Sequence, residues 1–512
     1  MKKQPTYIFL TISIISYFIS LFIFKIDVNF TYRWLTLCLS LLPLLLITAL
    51  WIFSLVSYKR VLTSISIYGL LAIFIIAIIT RCAYLTDYPF VSVGDEVRDG
   101  GLDALRVATG EIKNFFSYGY YNAQGRVISA FTSLFYYTFG GSVLVYRVPA
   151  AVISIMDIVL FYILLSLLTK NKLASFLGAM VVISLPLHLF YSRTEILIIF
   201  GSFFSTAILL ALHIFFHRNR VNIIDCICLG ALSGFTFNLH ASVKALGMIT
   251  LVAIMLICFY QWISGKLKIL QLGIRFLFLG LFAFVGFGPM LLNTNSINLF
   301  LNTSKISFVN EIQVKTKSEV IKNTWENYKK SLLTWITEPT SSHYGDHRPI
   351  FPPLLFILMI IGILVGIARK NMYLITILFI ALALHLTNSA LTDMPRADHR
   401  LRPLFPIGSL FVGVGMAFMI DKMKLRLLQY IFASVLVILL SYQAIQFFIL
   451  QPANIGKDIG DYLSMHTIYF IKSNNDILNK TDNLHYLVSP ANYQKFNYTH
   501  YNEQYNFFLP KV

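Results

Sequence analysis

Residues 148–168 read VPAAVISIMDIVLFYILLSLL, an apolar run whose single charged side chain is Asp157. A helix needs about 20 such residues to cross roughly 30 Å of hydrocarbon. A surface helix of a soluble protein would show a polar stripe, and this run has none. Tyr146-Arg147 precede it and Lys170-Asn171-Lys172 follow, so charge returns where the run stops. Runs of the same kind recur at 7–24, 35–56, 61–80, 173–190, 196–216, 222–239, 242–262, 269–291, 351–367, 373–391, 404–420 and 427–448, which makes thirteen. The 222–262 region is the least cleanly divided, because only His240 and Lys244 interrupt it.

Composition agrees with a chain that faces lipid. Of 512 residues 57% are apolar and 12% charged, whereas a soluble domain carries about a quarter charged residues. The net charge of +18 would point to nucleic acid in a soluble protein. Here the cations form short clusters between apolar runs, the pattern that orients membrane helices, and no nucleic-acid partner is expected. With Lys2 and Lys3 inside, six clusters fall on that same side: Lys59-Arg60, Lys170-Asn171-Lys172, Arg218-Asn219-Arg220, Lys266-Leu267-Lys268, Arg369-Lys370 and Lys422-Met423-Lys424. The N-terminus is therefore expected in the cytoplasm. The connections 81–147, 292–350 and 392–403 and the tail 449–512 are expected outside. Lys25, Arg33, Arg81, Arg193 and the arginines of 396–402 are outer exceptions to the rule.

The expected fold class is an all-α polytopic membrane protein. Residues 1–60 are expected to add two helices to a core at 61–448, with 449–512 as a small outer segment. The first outer connection contains an apolar stretch, 127–139, too short to span and better suited to a helix in the outer interface. In the tail, 455–472 has helical character and 484–488 resembles a short strand. Neither the start of the chain, which has no small-residue cleavage site after Phe24, nor the five cysteines, which lack a metal or disulfide spacing, changes this reading.

Charged residues are scarce, so their positions carry information. Asp95 and Glu96 stand together in the first outer connection, within Val93-Gly94-Asp95-Glu96-Val97-Arg98-Asp99. An adjacent acidic pair at a membrane exit can serve as a general base or hold a divalent cation; it can equally be a solvated turn that starts a helix. Asp157 is an intramembrane acid, with a hydrogen bond to a neighbouring helix as the alternative to a functional role. Residues 341–348 read SSHYGDHR, with no defined ligand spacing, and better fit a turn before Pro349. His213 and His217 lie toward the inner end of their run.

The order of several phrases resembles the GT-C superfamily of membrane glycosyltransferases, in the branch of protein O-mannosyltransferases and lipid A aminoarabinose transferases. The acidic pair Asp95-Glu96 comes first. Phe139-Gly140-Gly141 and Tyr146-Arg147-Val148-Pro149 follow, then Ser184-Leu185-Pro186 and Tyr191-Ser192-Arg193-Thr194-Glu195. Gly234 to Lys244 and His399-Arg400-Leu401-Arg402-Pro403-Leu404-Phe405-Pro406 complete the set, across roughly 81–420. Three departures stand against it. Residues 118–126 replace a usual His-Pro-Pro phrase, His399 stands where an Arg is common, and the two helices before 61 have no counterpart.

The resemblance implies a GT-C-like bundle of about 13 transmembrane helices. It also implies transfer of a sugar from a polyprenyl-phosphate carrier, on the extracytoplasmic side, to a lipid, glycan or protein acceptor. Inversion would need one carboxylate as base. Asp95 takes that role, with Glu96 as orienting partner or alternate base. Lys244, Arg400 and Arg402 would stabilise the departing phosphate, for which an Arg fork has the better geometry. Arg193, Glu195, His240 and His399 join them as candidate substrate-binding residues. Glu195 can pair with Arg193 as a clamp, or join Asp95 and Glu96 around a divalent metal cation. Two rivals remain: a lipid-linked oligosaccharide polymerase or ligase, with chemistry in a late outer loop, and a lipid or solute transporter, with charge at the midplane and broken helices.

Overall fold

Hydrocarbon offers backbone groups no hydrogen-bond partner, so each apolar run closes its bonds within itself as a helix. In the computed structural model the described residues are 4–27, 29–56, 65–86, 91–93, 101–119, 125–140, 143–194, 198–217, 223–292, 316–340, 349–391, 395–454 and 462–464. The first helices are α1 (Gln4–Ile26), α2 (Arg33–Val56) and α3 (Ile67–Cys82), followed by α4 (Asp103–Ala108) and α5 (Arg126–Phe139). Then come α6 (Val143–Thr169), α7 (Lys172–Ser184), α8 (Pro186–Ser192), α9 (Ile199–His217), α10 (Ile223–Phe235), α11 (Ala241–Ile263) and α12 (Ile269–Phe287). The last are α13 (Lys317–Leu333), α14 (Pro353–Ala368), α15 (Met372–His385), α16 (Asp398–Leu401), α17 (Leu404–Lys422) and α18 (Arg426–Asn454).

Among the described residues nine helices are long and apolar enough to cross a membrane, or ten if α7 and α8 make one span bent by 64°. The helices at Ile67–Cys82, Ile223–Asn238 and Pro353–Ala368 are apolar but shorter. Together these occupy the positions of the thirteen runs, and the chain is a multi-pass membrane protein, although thirteen full-length crossings are not what the helix lengths give. The doubtful 222–262 region divides in two. A 3₁₀ turn, Thr236–Asn238, ends the first half, and the His240 ring caps α11 by accepting the Ser242 N–H at 3.3 Å. Large apolar side chains such as Phe22, Leu45, Phe74, Leu256 and Ile438 face outward, as lipid contact requires.

Small residues set the closest helix approaches. Gly230 and Gly234, one turn apart on α10, pack on α12 so closely that a Cβ at Gly234 would lie 2.0 Å from the Ala283 carbonyl oxygen. Such spacing lets backbones approach where no hydrophobic force drives helices together. Gly234→Val is therefore expected to cost about 2 kcal/mol of stability. Gly273→Ala, where no atom lies within 4 Å of an added Cβ, is expected to cost little more than nothing. Thermal unfolding of both variants in detergent checks the contrast; equal melting temperatures would refute it.

Residues 126–139 do form a short amphipathic helix, with Val127, Ile128, Ala130 and Tyr136 buried and Leu134, Tyr137 and Phe139 exposed. The tail requires a correction. Within 455–472, expected as helix, the described residues form a strand, β2 (Tyr462–Ser464). It pairs antiparallel with β1 (Val91–Val93), Val91 opposite Ser464. An edge in the first outer connection supplies backbone partners that a local helical pattern does not reveal. The strand expected at 484–488 lies outside the described residues.

Candidate functional site

Four arginines, Arg81, Arg147, Arg193 and Arg402, are fully buried. A buried cation is costly unless hydrogen-bonded and paired, so the partners of each decide what it does. Arg193 donates to the carbonyl oxygens of Thr80 (2.9 Å), Ala83 (2.6 Å) and Tyr84 (2.9 Å), clamping the end of α3, and its guanidinium lies 5.2 Å from the Phe448 ring centroid. Arg81 donates to Ser154, Thr80 and the Ile183 carbonyl, and faces His188 Nδ1 at 2.9 Å. Arg147 donates to the Leu85 carbonyl at 3.0 Å. These three tie helix ends together. Arg193, an expected substrate-binding residue, gives its terminal nitrogens to backbone carbonyls. Arg193→Ala is expected to cost about 3 kcal/mol of stability, read as a lower melting temperature with the KM of any surviving activity unchanged; a raised KM at unchanged stability would contradict this.

Arg402 is different. It is 0% exposed, yet among the described residues none of its three guanidinium nitrogens has a hydrogen-bond partner. The group sits 5.2 Å from the Tyr191 ring centroid and 5.0 Å from that of Phe405, on aromatic faces that hold a cation without using its donors. The backbone around it is pinned: Ser205 Oγ donates to the Pro403 carbonyl at 2.8 Å, and Tyr191 Oη donates to Asp398 Oδ1 at 2.7 Å. The arrangement leaves a planar fork of donors with no acceptor among the described residues.

The other sequence candidates gather at the break between α10 and α11. The His240 and His399 rings meet edge to face with centroids 5.6 Å apart, and Ser242 Oγ donates to the His399 carbonyl at 3.2 Å. Asn388, in the π-helical turn Leu386–Ala390, donates to the carbonyls of Ser242 (2.9 Å) and Arg400 (3.1 Å). One turn below His240, the buried Lys244 places its Nζ 3.8 Å from the centroid of the Tyr118 ring. Burial pushes the Tyr118 phenol well up, so its ring stays neutral beneath the amine. The structure thus joins the segments of His240, Lys244, His399 and Arg400 through α11, the π turn and α16, with Arg402 at the C-terminal end of α16, while Arg193 donates to backbone carbonyls. Asp95, Glu96 and Glu195 lie outside the described residues, as do Ser341 to Arg348. Among the described residues no group of three His, Cys, Asp or Glu side chains is placed to hold a metal ion.

Sequence reasoning missed four residues here. His188, Tyr191 and Asp398 are buried polar groups around Arg402 that no motif marked for a site role, and Arg81 stood out only as a basic residue on the wrong side. Asp157 bonds neighbouring helices, accepting from His188 Nε2 at 3.1 Å and from Thr206 Oγ1 at 2.5 Å.

No family model matches the chain, and no curated protein matches it. Among solved structures, that of ArnT from Cupriavidus metallidurans bound to undecaprenyl phosphate is similar at 12% identity, over 86% of this chain and 76% of that chain, with a TM-score of 0.44. A likeness of that depth leaves the reading of the site to this chain's own residues.

Proposed function

We propose that this protein is a membrane glycosyltransferase of the GT-C type, which moves a sugar from a polyprenyl-phosphate donor to an acceptor on the extracytoplasmic side with inversion. The observation that carries the proposal is the unfilled, fully buried guanidinium of Arg402. A fold that keeps such a group unsatisfied gives up several kcal/mol, which a bound anion recovers. A donor that is half lipid and half phosphate fits a fork buried at a helix end of a membrane bundle. In this reading Lys244, His240, His399 and Arg400 line the sugar and its leaving phosphate. Asp95 takes the acceptor proton, Glu96 orients it, and Glu195 or the acidic pair holds any divalent cation. The acceptor is a lipid, a glycan or a protein of the cell envelope.

The transporter reading has one specific observation in its favour. Helices α7 and α8 are broken by 64° next to buried Asp157 and His188, as in carriers that bind ions at discontinuous helices. One experiment separates the two. Purified protein is incubated with radiolabelled polyprenyl-phosphate sugars and an envelope extract as acceptor. Transfer of label to a new product is expected. Absence of transfer from every donor, with uptake of label into proteoliposomes, would replace the enzyme with a carrier.

A further inference from the structure

Something must balance Arg402 when its fork is empty. Two fully buried carboxylates, Asp157 and Asp398, lie within electrostatic reach of it, and neither hydrogen-bonds it. Asp398 Oδ1 accepts from Tyr191 Oη at 2.7 Å and from the His399 N–H at 2.6 Å. Asp157 accepts from Thr206 and His188. The tautomer of His188 follows from its other neighbour. Arg81 Nη2 faces His188 Nδ1 at 2.9 Å, and a guanidinium only donates. Nδ1 is therefore the acceptor, Nε2 carries the proton, and that proton goes to Asp157.

The geometry holds Asp157 in register with the fork. Thr206, its partner, is the neighbour of Ser205, which grips the carbonyl of Pro403 next to Arg402. His188 and Tyr191 lie three residues apart on α8, one bonded to Asp157 and the other facing Arg402. The charge of Asp157 is thereby fixed near the guanidinium, with its hydrogen-bonding capacity used by other groups.

We propose that Asp157, with Asp398 beside it, is the resting counter-charge of Arg402, so that an anionic lipid phosphate competes with an attraction already present and leaves more readily than it would leave an unbalanced buried arginine. This inference rests on the anion-binding reading of Arg402. Asp157 is then a positioning residue that touches no substrate, and its effect is on retention of the phosphate left after sugar transfer. Two sites whose ligands compete for one charge are coupled, and weakening one strengthens the other.

The sign of the effect is what tests it. Asp157→Asn is nearly isosteric: its carbonyl oxygen can accept from His188, and its amide group can donate to the Thr206 hydroxyl. Full-length protein in detergent is titrated with farnesyl phosphate by calorimetry, with inorganic phosphate in a parallel arm to separate the phosphate contribution from that of the tail. Wild type is expected to bind farnesyl phosphate, Arg402→Ala to bind it at least tenfold more weakly, and Asp157→Asn to bind it about tenfold more tightly. The same direction is expected for inorganic phosphate. In turnover, kcat and KM of Asp157→Asn should fall together as product release slows. A merely structural role predicts the opposite, weaker binding and a raised KM, and that result or an unchanged affinity overturns the inference. If Asp157→Asn does not fold, Asp398→Asn carries the same test with the same sign. If Arg402→Ala binds as wild type does, or wild type binds neither probe, the anion site itself falls and the proposed function with it. If Arg402→Ala loses binding while neither Asn variant gains, only the counter-charge is refuted.

Discussion

Arg402→Ala should reduce sugar transfer roughly a thousandfold, the scale seen when a preorganised donor to a developing anionic charge is removed. The cause is specific to this arginine. Its three nitrogens are buried and, among the described residues, unbonded, so their donors are already desolvated before a phosphate arrives. Arg402→Lys should recover little, because an ammonium supplies charge without the planar fork that matches two phosphate oxygens. Among the described residues Arg402 donates to no group, so Arg402→Ala strips no carbonyl of its partner, whereas Arg193→Ala, which strips partners from three carbonyls, should melt lower than wild type. Initial rates with a radiolabelled donor and thermal unfolding in detergent measure both quantities. A variant that transfers at the wild-type rate would remove Arg402 from the chemistry.

The second large effect is expected at the acidic pair. Asp95→Asn should lower kcat by about 10²- to 10⁴-fold, the usual contribution of a positioned general base, with little change in KM. Glu96→Gln should lower it less, since an orienting group acts through the base it orients. The measurement is steady-state kinetics across donor concentration. Label transfer that persists at wild-type rate in both variants would exclude the pair. A loss confined to Glu96→Gln would exchange the two roles.

Most of the architecture was legible because it depends on local pattern. A run such as 148–168 has one option in hydrocarbon, and the structure makes it α6. The break at 236–240 was readable in outline, since His240 and Lys244 interrupt the apolar stretch; that His240 caps α11 with its own ring was not. What sequence could not supply was long-range pairing. Arg193 and the carbonyls it clamps are more than a hundred residues apart, and nothing in the phrase around Arg193 marks Thr80 or Tyr84 as its partners. The strand at Tyr462–Ser464 exists because Val91–Val93 offers it an edge. Asp157 illustrates the same limit. The rule that intramembrane acids matter singled it out, but its link through His188 to Arg81 needs three helices to be placed. The distinction between Arg402 and the other buried arginines is likewise invisible in sequence, where all are basic residues at run ends. It appears only when every donor has been matched to an acceptor.

One measurement bears most directly on the central claim: an experimental structure of the protein in lipid with a polyprenyl phosphate bound. Phosphate oxygens about 2.8 Å from the guanidinium nitrogens of Arg402, with the polyprenyl chain leaving toward the bilayer, are what the account predicts. A phosphate seated elsewhere while that guanidinium stays unbonded between Tyr191 and Phe405 would contradict it.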